Sequence, residues 1–212
     1  MLIAVPFFGN DPRWLRMLDY WFEMHAASGT KVPAVIISDE RVNGFPSLHV
    51  DTTAFSQVMR GHRWDRKGAI VAAAVQYLGR VLVCDLDAFI QRDPEPVLAT
   101  LPTVPLMTRK DGWQRTVRVG GTTAEQRQAG VMWFGDPYDR VKLAGYYRTA
   151  FGALDGEHAQ DEWREQLAWS LVANWTGTHE LPKALNCSHH DVDVAKACIV
   201  HEHGETKWKR IA

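Results

Sequence analysis

Two aspartates, Asp85 and Asp87, stand directly behind the apolar run Val81-Leu82-Val83-Cys84. In an extended segment, side chains two apart point the same way, so the two carboxylates can converge on one point. Two like charges held that close repel each other unless a cation lies between them. Carboxylate oxygens are hard ligands that suit Mg²⁺ or Mn²⁺, and such an ion commonly bridges protein carboxylates to the phosphates of a substrate. An Asp-x-Asp pair also occurs in ordinary solvated turns. Here the apolar run in front and the Arg92-Asp93-Pro94 exit behind argue for a site. Open α/β sheets bind ligands outside the carboxyl ends of their strands, where this pair would lie.

The elements that must position the pair can be read from hydrophobic period and turn signals. Residues 2–8 are apolar and end at Gly9-Asn10-Asp11-Pro12, which reads as a buried strand and a turn. Trp14, Leu15, Leu18, Trp21, Phe22 and His25 follow at helical spacing over residues 12–27, with Asn10 or Asp11 as the cap. Residues 32–39 form a β-branched strand, and residues 47–50 a weaker one. A helix over about residues 65–78, stopped by Gly79, leads into the strand at 81–84. This alternation predicts a parallel sheet covered by helices on both faces. The second half is less regular: a polar loop or hairpin over 106–128 with Gly120-Gly121, then a strand at 129–134. Helices near 138–151 and 160–173 and a last short strand at 197–201 complete it. With no internal repeat, low-complexity tract or linker, residues 1–212 read as a single domain.

Bulk properties exclude several classes. A 212-residue chain with 46% hydrophobic and 23% charged residues has an ordinary globular composition. A net charge of −1 gives no overall field for a polyanion, so any basic surface must be local. Cys84, Cys187 and Cys198 are odd in number and widely spaced, which suggests neither a zinc knuckle nor a disulfide framework. The apolar start lacks a basic lead-in, and no apolar run approaches the roughly 18 residues of a membrane span. The expectation is a cytoplasmic protein with no membrane span.

The segment at residues 80–94, centred on Asp85-Leu86-Asp87, resembles the Asp-x-Asp region of GT-A-fold glycosyltransferases, above all the glycogenin-like, family eight retaining enzymes. Gln128-Ala129-Gly130-Val131-Met132-Trp133-Phe134 resembles that family's Asn-x-Gly-Val strand, with Gln128 or Ala129 in place of the asparagine. Asp161-Glu162-Trp163-Arg164-Glu165-Gln166 resembles the helix near the donor sugar, and Leu181-Pro182 with Leu185-Asn186 the Leu-Pro…Asn segment. His201-x-x-Gly204-x-x-Lys207 resembles the terminal His-x-x-Gly-x-x-Lys motif, although the neighbouring His203 leaves open which histidine it is.

The resemblance implies a GT-A-type fold, with a Rossmann-like, mixed, mostly parallel central sheet flanked by helices. It implies Mn²⁺ or Mg²⁺ on Asp85, Asp87 and His201, with Gly204 and Lys207 at the diphosphate of a nucleotide-sugar donor, a UDP-sugar by analogy. Val5 and Phe7 would lie by the base, Asp39 by the base or ribose, and Leu86, Arg63 and Lys67 against the donor. Glu165 would lie beneath the anomeric carbon in a retaining transfer, backed by Gln166 and Asp161. The segment at 109–127 carries Arg109, Lys110, Arg115, Arg118, Arg127 and Trp113, and is expected to overhang the site and meet a hydroxyl acceptor. That acceptor is a glycan or another small hydroxyl compound, with hydroxymethylated bases in DNA as the alternative. Competing readings are a metal-dependent nucleotidyltransferase or phosphatase, a nucleotide-sugar hydrolase, and a binding module of the same fold without transfer activity.

Overall fold

The structure is a computed structural model that describes every residue except 57–58, 60–62, 111–114, 136–139, 157, 159–160, 162, 203 and 210–212; the side chains of Arg63 and Thr206 are likewise not described. In chain order the elements are β1 (Leu2–Pro6), α1 (Pro12–Ala27), β2 (Ala34–Ser38), β3 (Ser47–His49), α2 (Arg63–Ala74), β4 (Val81–Cys84), β5 (Ala88–Ile90) and α3 (Glu95–Leu98). The second half adds β6 (Met107–Lys110), β7 (Thr116–Val119), β8 (Thr122–Glu125), β9 (Arg127–Phe134), α4 (Arg140–Ala153), α5 (Arg164–Thr176), β10 (Cys187–Ser188), β11 (Ile199–His201) and α6 (Thr206–Lys209).

The central sheet has the order β3-β2-β1-β4-β9-β6. Strands β3, β2, β1 and β4 run parallel, while β9 is antiparallel to both β4 and β6. Each central strand is apolar on both faces, because helices cover both. In β1 and β4, Ile3, Val5, Leu82 and Cys84 face one way, against Met17, Leu18 and Trp21 of α1. Ala4, Val81 and Val83 face the other way, against α2, α4 and α5. Fully burying a side chain such as Leu18 contributes about 1.5–3 kcal/mol, so the two layers hold the sheet's carboxyl end in place. Helix α1 starts where expected: Asp11 Oδ1 accepts from the Arg13 N–H at 2.8 Å, and Pro12 occupies the first turn.

Two sequence expectations shift, and of the loop or hairpin expected over 106–128 the structure takes the hairpin. Helix α2 ends at Ala74 instead of residue 78, because the Tyr77 and Leu78 N–H groups both fold back on the Ala74 carbonyl. The 106–128 stretch contains a β7–β8 hairpin, whose two-residue loop Gly120-Gly121 has φ of 53° and 81°. That turn needs positive φ at both positions, which glycine adopts without strain. Finally, Asp85 and Asp87 are not on an extended strand. The Ala88 N–H bonds to the Asp85 carbonyl at 2.9 Å, so the pair lies on a tight turn joining β4 to β5. A second, three-stranded sheet, β10-β11-β5, grows from that turn. Its antiparallel register pairs His201 with Ala88, which brings the chain's C-terminal strand beside the aspartates.

Candidate functional site

The turn is fastened at both ends. The Asp85 N–H donates to the Gly130 carbonyl at 2.6 Å, and the Glu202 N–H to the Asp87 carbonyl at 2.9 Å. From this frame the two carboxylates diverge toward different partners. Asp85 turns to the helices: Lys67 Nζ of α2 lies 3.0 Å from Asp85 Oδ2 and 3.3 Å from Glu165 Oε2 of α5. Asp87 turns to the C-terminal segment, with His201 Nε2 3.2 Å from Oδ1 and Lys207 Nζ 2.7 Å from Oδ2.

One ligand atom from each of Asp85, Asp87 and His201 lies within 4.8 Å of the others, close enough to share a single ion. Two details fit a divalent cation there. Asp85 Oδ1 is buried and has no hydrogen-bond partner among the described residues. A buried carboxylate oxygen left so is costly unless something positive meets it. In addition, the His201 imidazole lies directly over Gly130 of β9. A Cβ at residue 130 would stand 1.9 Å from His201 Cε1, so only glycine leaves room for the ring. Carboxylate oxygens with an imidazole nitrogen form an ordinary donor set for Mn²⁺ or Mg²⁺. His203, the other histidine of the tail, lies outside the described residues.

The electrostatics separate the carboxylates. Burial pushes Asp87 up, but hydrogen bonding and charge from His201 and Lys207 outweigh it and hold its carboxyl well below the usual range. For Asp85, burial prevails over Lys67 and raises the carboxyl. Burial likewise raises Glu165, to about 7, against the pull of Lys67. Lys67 is itself raised, since the charges of Asp85 and Glu165 outweigh its desolvation. One ammonium thus serves a half-buried and a buried carboxylate.

Beside the turn opens a cleft of about 550 Å³, counting its mouth. Lys67, Asp85, Leu86 and Asp87 form its polar side, and Pro6, Phe7, Phe8, Trp14 and Trp64 its apolar wall. Phe7 and Leu86 border the cleft, and the Val5 side chain is packed in the core. Asp39 follows β2 and accepts from Thr52 Oγ1 at 3.2 Å and Arg66 Nε at 3.0 Å. The Arg66 guanidinium in turn lies 5.4 Å from the Phe8 ring centre. Gly204, at φ 62°, makes the turn before α6. Asp161 Oδ1 accepts from the Trp163 N–H at 2.8 Å in the turn that precedes α5, while Gln166 is half-buried one residue past Glu165. The Arg63 side chain lies outside the described residues.

Sequence reasoning missed four contributors. Gly130 and Gly68 act through space they leave open, and Trp14 and Trp64 carry no mark that distinguishes a cleft wall from core. Trp14 also meets Trp208 edge-on at 4.9 Å, with Lys207 Nζ 5.3 Å from the Trp14 ring centre, which ties the tail to α1. The expected basic overhang is largely taken up inside the molecule. Arg127 is buried, donating to Thr108 Oγ1 at 2.6 Å and the Thr108 carbonyl at 2.7 Å, and it pairs with Glu180. Arg109 pairs with Asp191 at 3.1 Å and Lys110 with Glu125 at 2.9 Å. Arg115 and Arg118 stay exposed, and Trp113 lies outside the described residues.

No protein-family model matches the chain, and no curated protein sequence does. Solved structures do. The galactosyltransferase LgtC, in complex with donor and acceptor sugar analogues, superposes with a TM-score of 0.63 at 13% identity over 96% of this chain and 87% of its own. A glycosyltransferase involved in glycosylating the major capsid of PBCV-1 gives 0.58 at 13% identity over 99% of this chain and 96% of that one. The bifunctional glycosyltransferase WbbM gives 0.62 at 15% identity, and the chain spans 46% of its length. The chain has the GT-A glycosyltransferase fold.

Proposed function

We propose that this chain, as a single domain, moves a sugar from a nucleotide-diphosphate sugar, a UDP-sugar, to a hydroxyl acceptor with retention of anomeric configuration. The observation that carries this reading is the Asp85, Asp87 and His201 cluster at the edge of an aromatic-walled cleft. The LgtC structure was determined with donor and acceptor sugar analogues, and the shared fold supports the same pair of substrate classes here.

Asp85, Asp87 and His201 would hold Mn²⁺ or Mg²⁺, which when bound supplies positive charge for the donor's diphosphate. The apolar wall, with Phe7 and Phe8 at the end of β1, takes the nucleoside, and Asp39, fixed by Arg66, stands at that end of the sheet. Lys207, one turn beyond Gly204, moves its ammonium from Asp87 toward the charge that grows on the leaving diphosphate. Glu165 faces the anomeric carbon and steadies the oxocarbenium-like state, while Lys67 holds its carboxylate. The acceptor oxygen bonds to the anomeric carbon from the side on which the carbon–oxygen bond to the diphosphate breaks, and the acceptor's proton passes to that diphosphate. The acceptor is a glycan or a small hydroxyl compound. Three buried free cysteines suit a reducing, cytoplasmic setting.

The test is a panel of nucleotide sugars and hydroxyl acceptors, with and without chelator, the product's anomer being read by NMR. We expect metal-dependent release of nucleoside diphosphate together with an α-linked product from an α-linked donor. Release at the same rate without acceptor would make the chain a hydrolase. No release with any donor, or undiminished release in chelator, would overturn the proposal.

A further inference from the structure

Behind Glu165, helices α2, α4 and α5 meet around one glycine. A Cβ on Gly68 of α2 would stand 1.9 Å from the Tyr147 hydroxyl of α4 and 2.7 Å from Glu165 Cγ of α5. Both side chains therefore fill the same notch, and both are buried, Tyr147 at 0% exposure and Glu165 at 4%. The Tyr147 hydroxyl and Glu165 Oε1 each lack a hydrogen-bond partner among the described residues. The rest of the tyrosine ring is walled by apolar groups, with Trp169 at 4.6 Å, Phe151 at 5.8 Å and Phe55 at 6.4 Å between ring centres. A buried hydroxyl and a buried carboxylate oxygen rarely persist unpaired in one notch, because a turn of the carboxylate toward the hydroxyl satisfies both. Glu165 Oε2 is already committed to Lys67.

We infer that Tyr147 is a positioning residue for Glu165: its hydroxyl donates to Oε1 across the Gly68 notch, while Lys67 holds Oε2. This inference rests on the proposed role of Glu165 in transfer. Held at both oxygens, the carboxylate loses the freedom to swing about its last torsion. A glutamate held by Lys67 alone would sample several orientations, and small misplacements of a group facing the reacting carbon are costly in rate. Gly68 belongs to the same device, since any side chain there would fill the space taken by the Tyr147 hydroxyl and Glu165 Cγ.

The test uses Tyr147→Phe and Glu165→Gln singly and together, with the fold of each checked by circular dichroism. We expect Tyr147→Phe to lower kcat about ten-fold with the donor KM unchanged, the loss expected for one hydrogen bond. In the Glu165→Gln background the same change should cost less than about two-fold, since the tyrosine acts through that carboxylate. A readout independent of activity is the Glu165 side-chain carboxyl resonance, assigned by its disappearance in Glu165→Gln. It should move in Tyr147→Phe protein without any donor present. If Tyr147→Phe does not fold, uniform 3-fluorotyrosine labelling alters the hydroxyl and must move the same resonance. An unmoved resonance, or an equal kcat loss in the Glu165→Gln background, overturns the inference. Wild-type protein inactive on every donor overturns the proposed transfer instead, and the resonance then decides the contact by itself.

Discussion

Asp85 and Asp87 share one turn and each meets one lysine, but the lysines arrive on different kinds of structure. Lys67 comes from α2, packed with α5 into the larger of the two apolar layers, and it is 8% exposed. Lys207 comes from the four-residue α6 at the end of the tail, held by Trp14 and Trp208 at the surface. Asp87 has a second partner in the His201 imidazole, whereas Asp85 shares its lysine with Glu165. The helix side therefore has two acids per ammonium, and the tail side has two basic groups per acid. Under the proposed transfer, in which a diphosphate is neutralised and then leaves, this asymmetry is useful. In that reading the helix side would fix geometry, and the tail side would exchange its contacts for substrate.

The largest effect should come where both sides meet. Asp85→Asn or Asp87→Asn should each lower metal-dependent turnover by about 10²–10³-fold, the scale seen when one preorganised electrostatic group is removed. Melting curves should stay cooperative in both variants. Turnover near the wild-type rate in either would show that the two acids do not share an ion.

The lysines should then divide cleanly. Lys67→Met leaves Asp85 and Glu165 facing each other without a cation, and breaking a buried pair costs about 3–5 kcal/mol. Lys207→Met leaves Asp87 with His201, so about 1–2 kcal/mol is expected, with the main effect a higher donor KM. Denaturant titration of both variants checks this. Equal stability losses would erase the distinction between the two sides.

The parts of this asymmetry that could be read beforehand are the local ones. The apolar β4 run, the aspartates behind it and the strand–helix alternation lie in short windows where period and turn chemistry decide structure. The turn itself did not follow from the i, i+2 rule. Alternation says nothing about whether the ladder continues, and the Ala88 N–H closes back on Asp85 instead. Arg127 looked like part of a basic loop because charge in a sequence carries no information on depth. Its guanidinium is buried by contacts from Thr108 and Glu180, far away in sequence. The glycines are the clearest loss. Gly130 and Gly68 function through the absence of a Cβ against His201 and Glu165, and no local pattern records a neighbour brought by folding.

Gly130 sharpens the tail side of the comparison. Alanine there must displace His201, because its Cβ would overlap the ring at 1.9 Å from Cε1. We expect Gly130→Ala to weaken Mn²⁺ binding by about 10–100-fold, as for changes that misorient a ligand. Lys67 and Glu165 lie away from that contact, so their pairing should persist. Unchanged Mn²⁺ affinity by calorimetry would remove His201 from the ligand set.

The smallest effect expected is at the hairpin, and it decides between acceptor classes. Of the basic residues once expected to overhang the cleft, Arg109, Lys110 and Arg127 are paired within the molecule, which leaves Arg115 and Arg118 exposed near the β7–β8 hairpin. Two exposed arginines on a chain of net charge −1 are a thin basis for holding a polyanion. DNA binding carried by several phosphate contacts should weaken steeply with salt, by a slope of about 0.9 per contact on logarithmic axes. A glycan acceptor, recognised by hydrogen bonds and stacking, should show almost no such slope. We therefore expect Arg115→Ala with Arg118→Ala to leave transfer to a sugar acceptor within about two-fold, at both low and moderate salt. If transfer instead falls steeply with salt in the wild type, and the double variant both weakens it and flattens the slope, the acceptor is a polyanion. The hairpin would then be a third contributor to the site, alongside the helix side and the tail side of the turn.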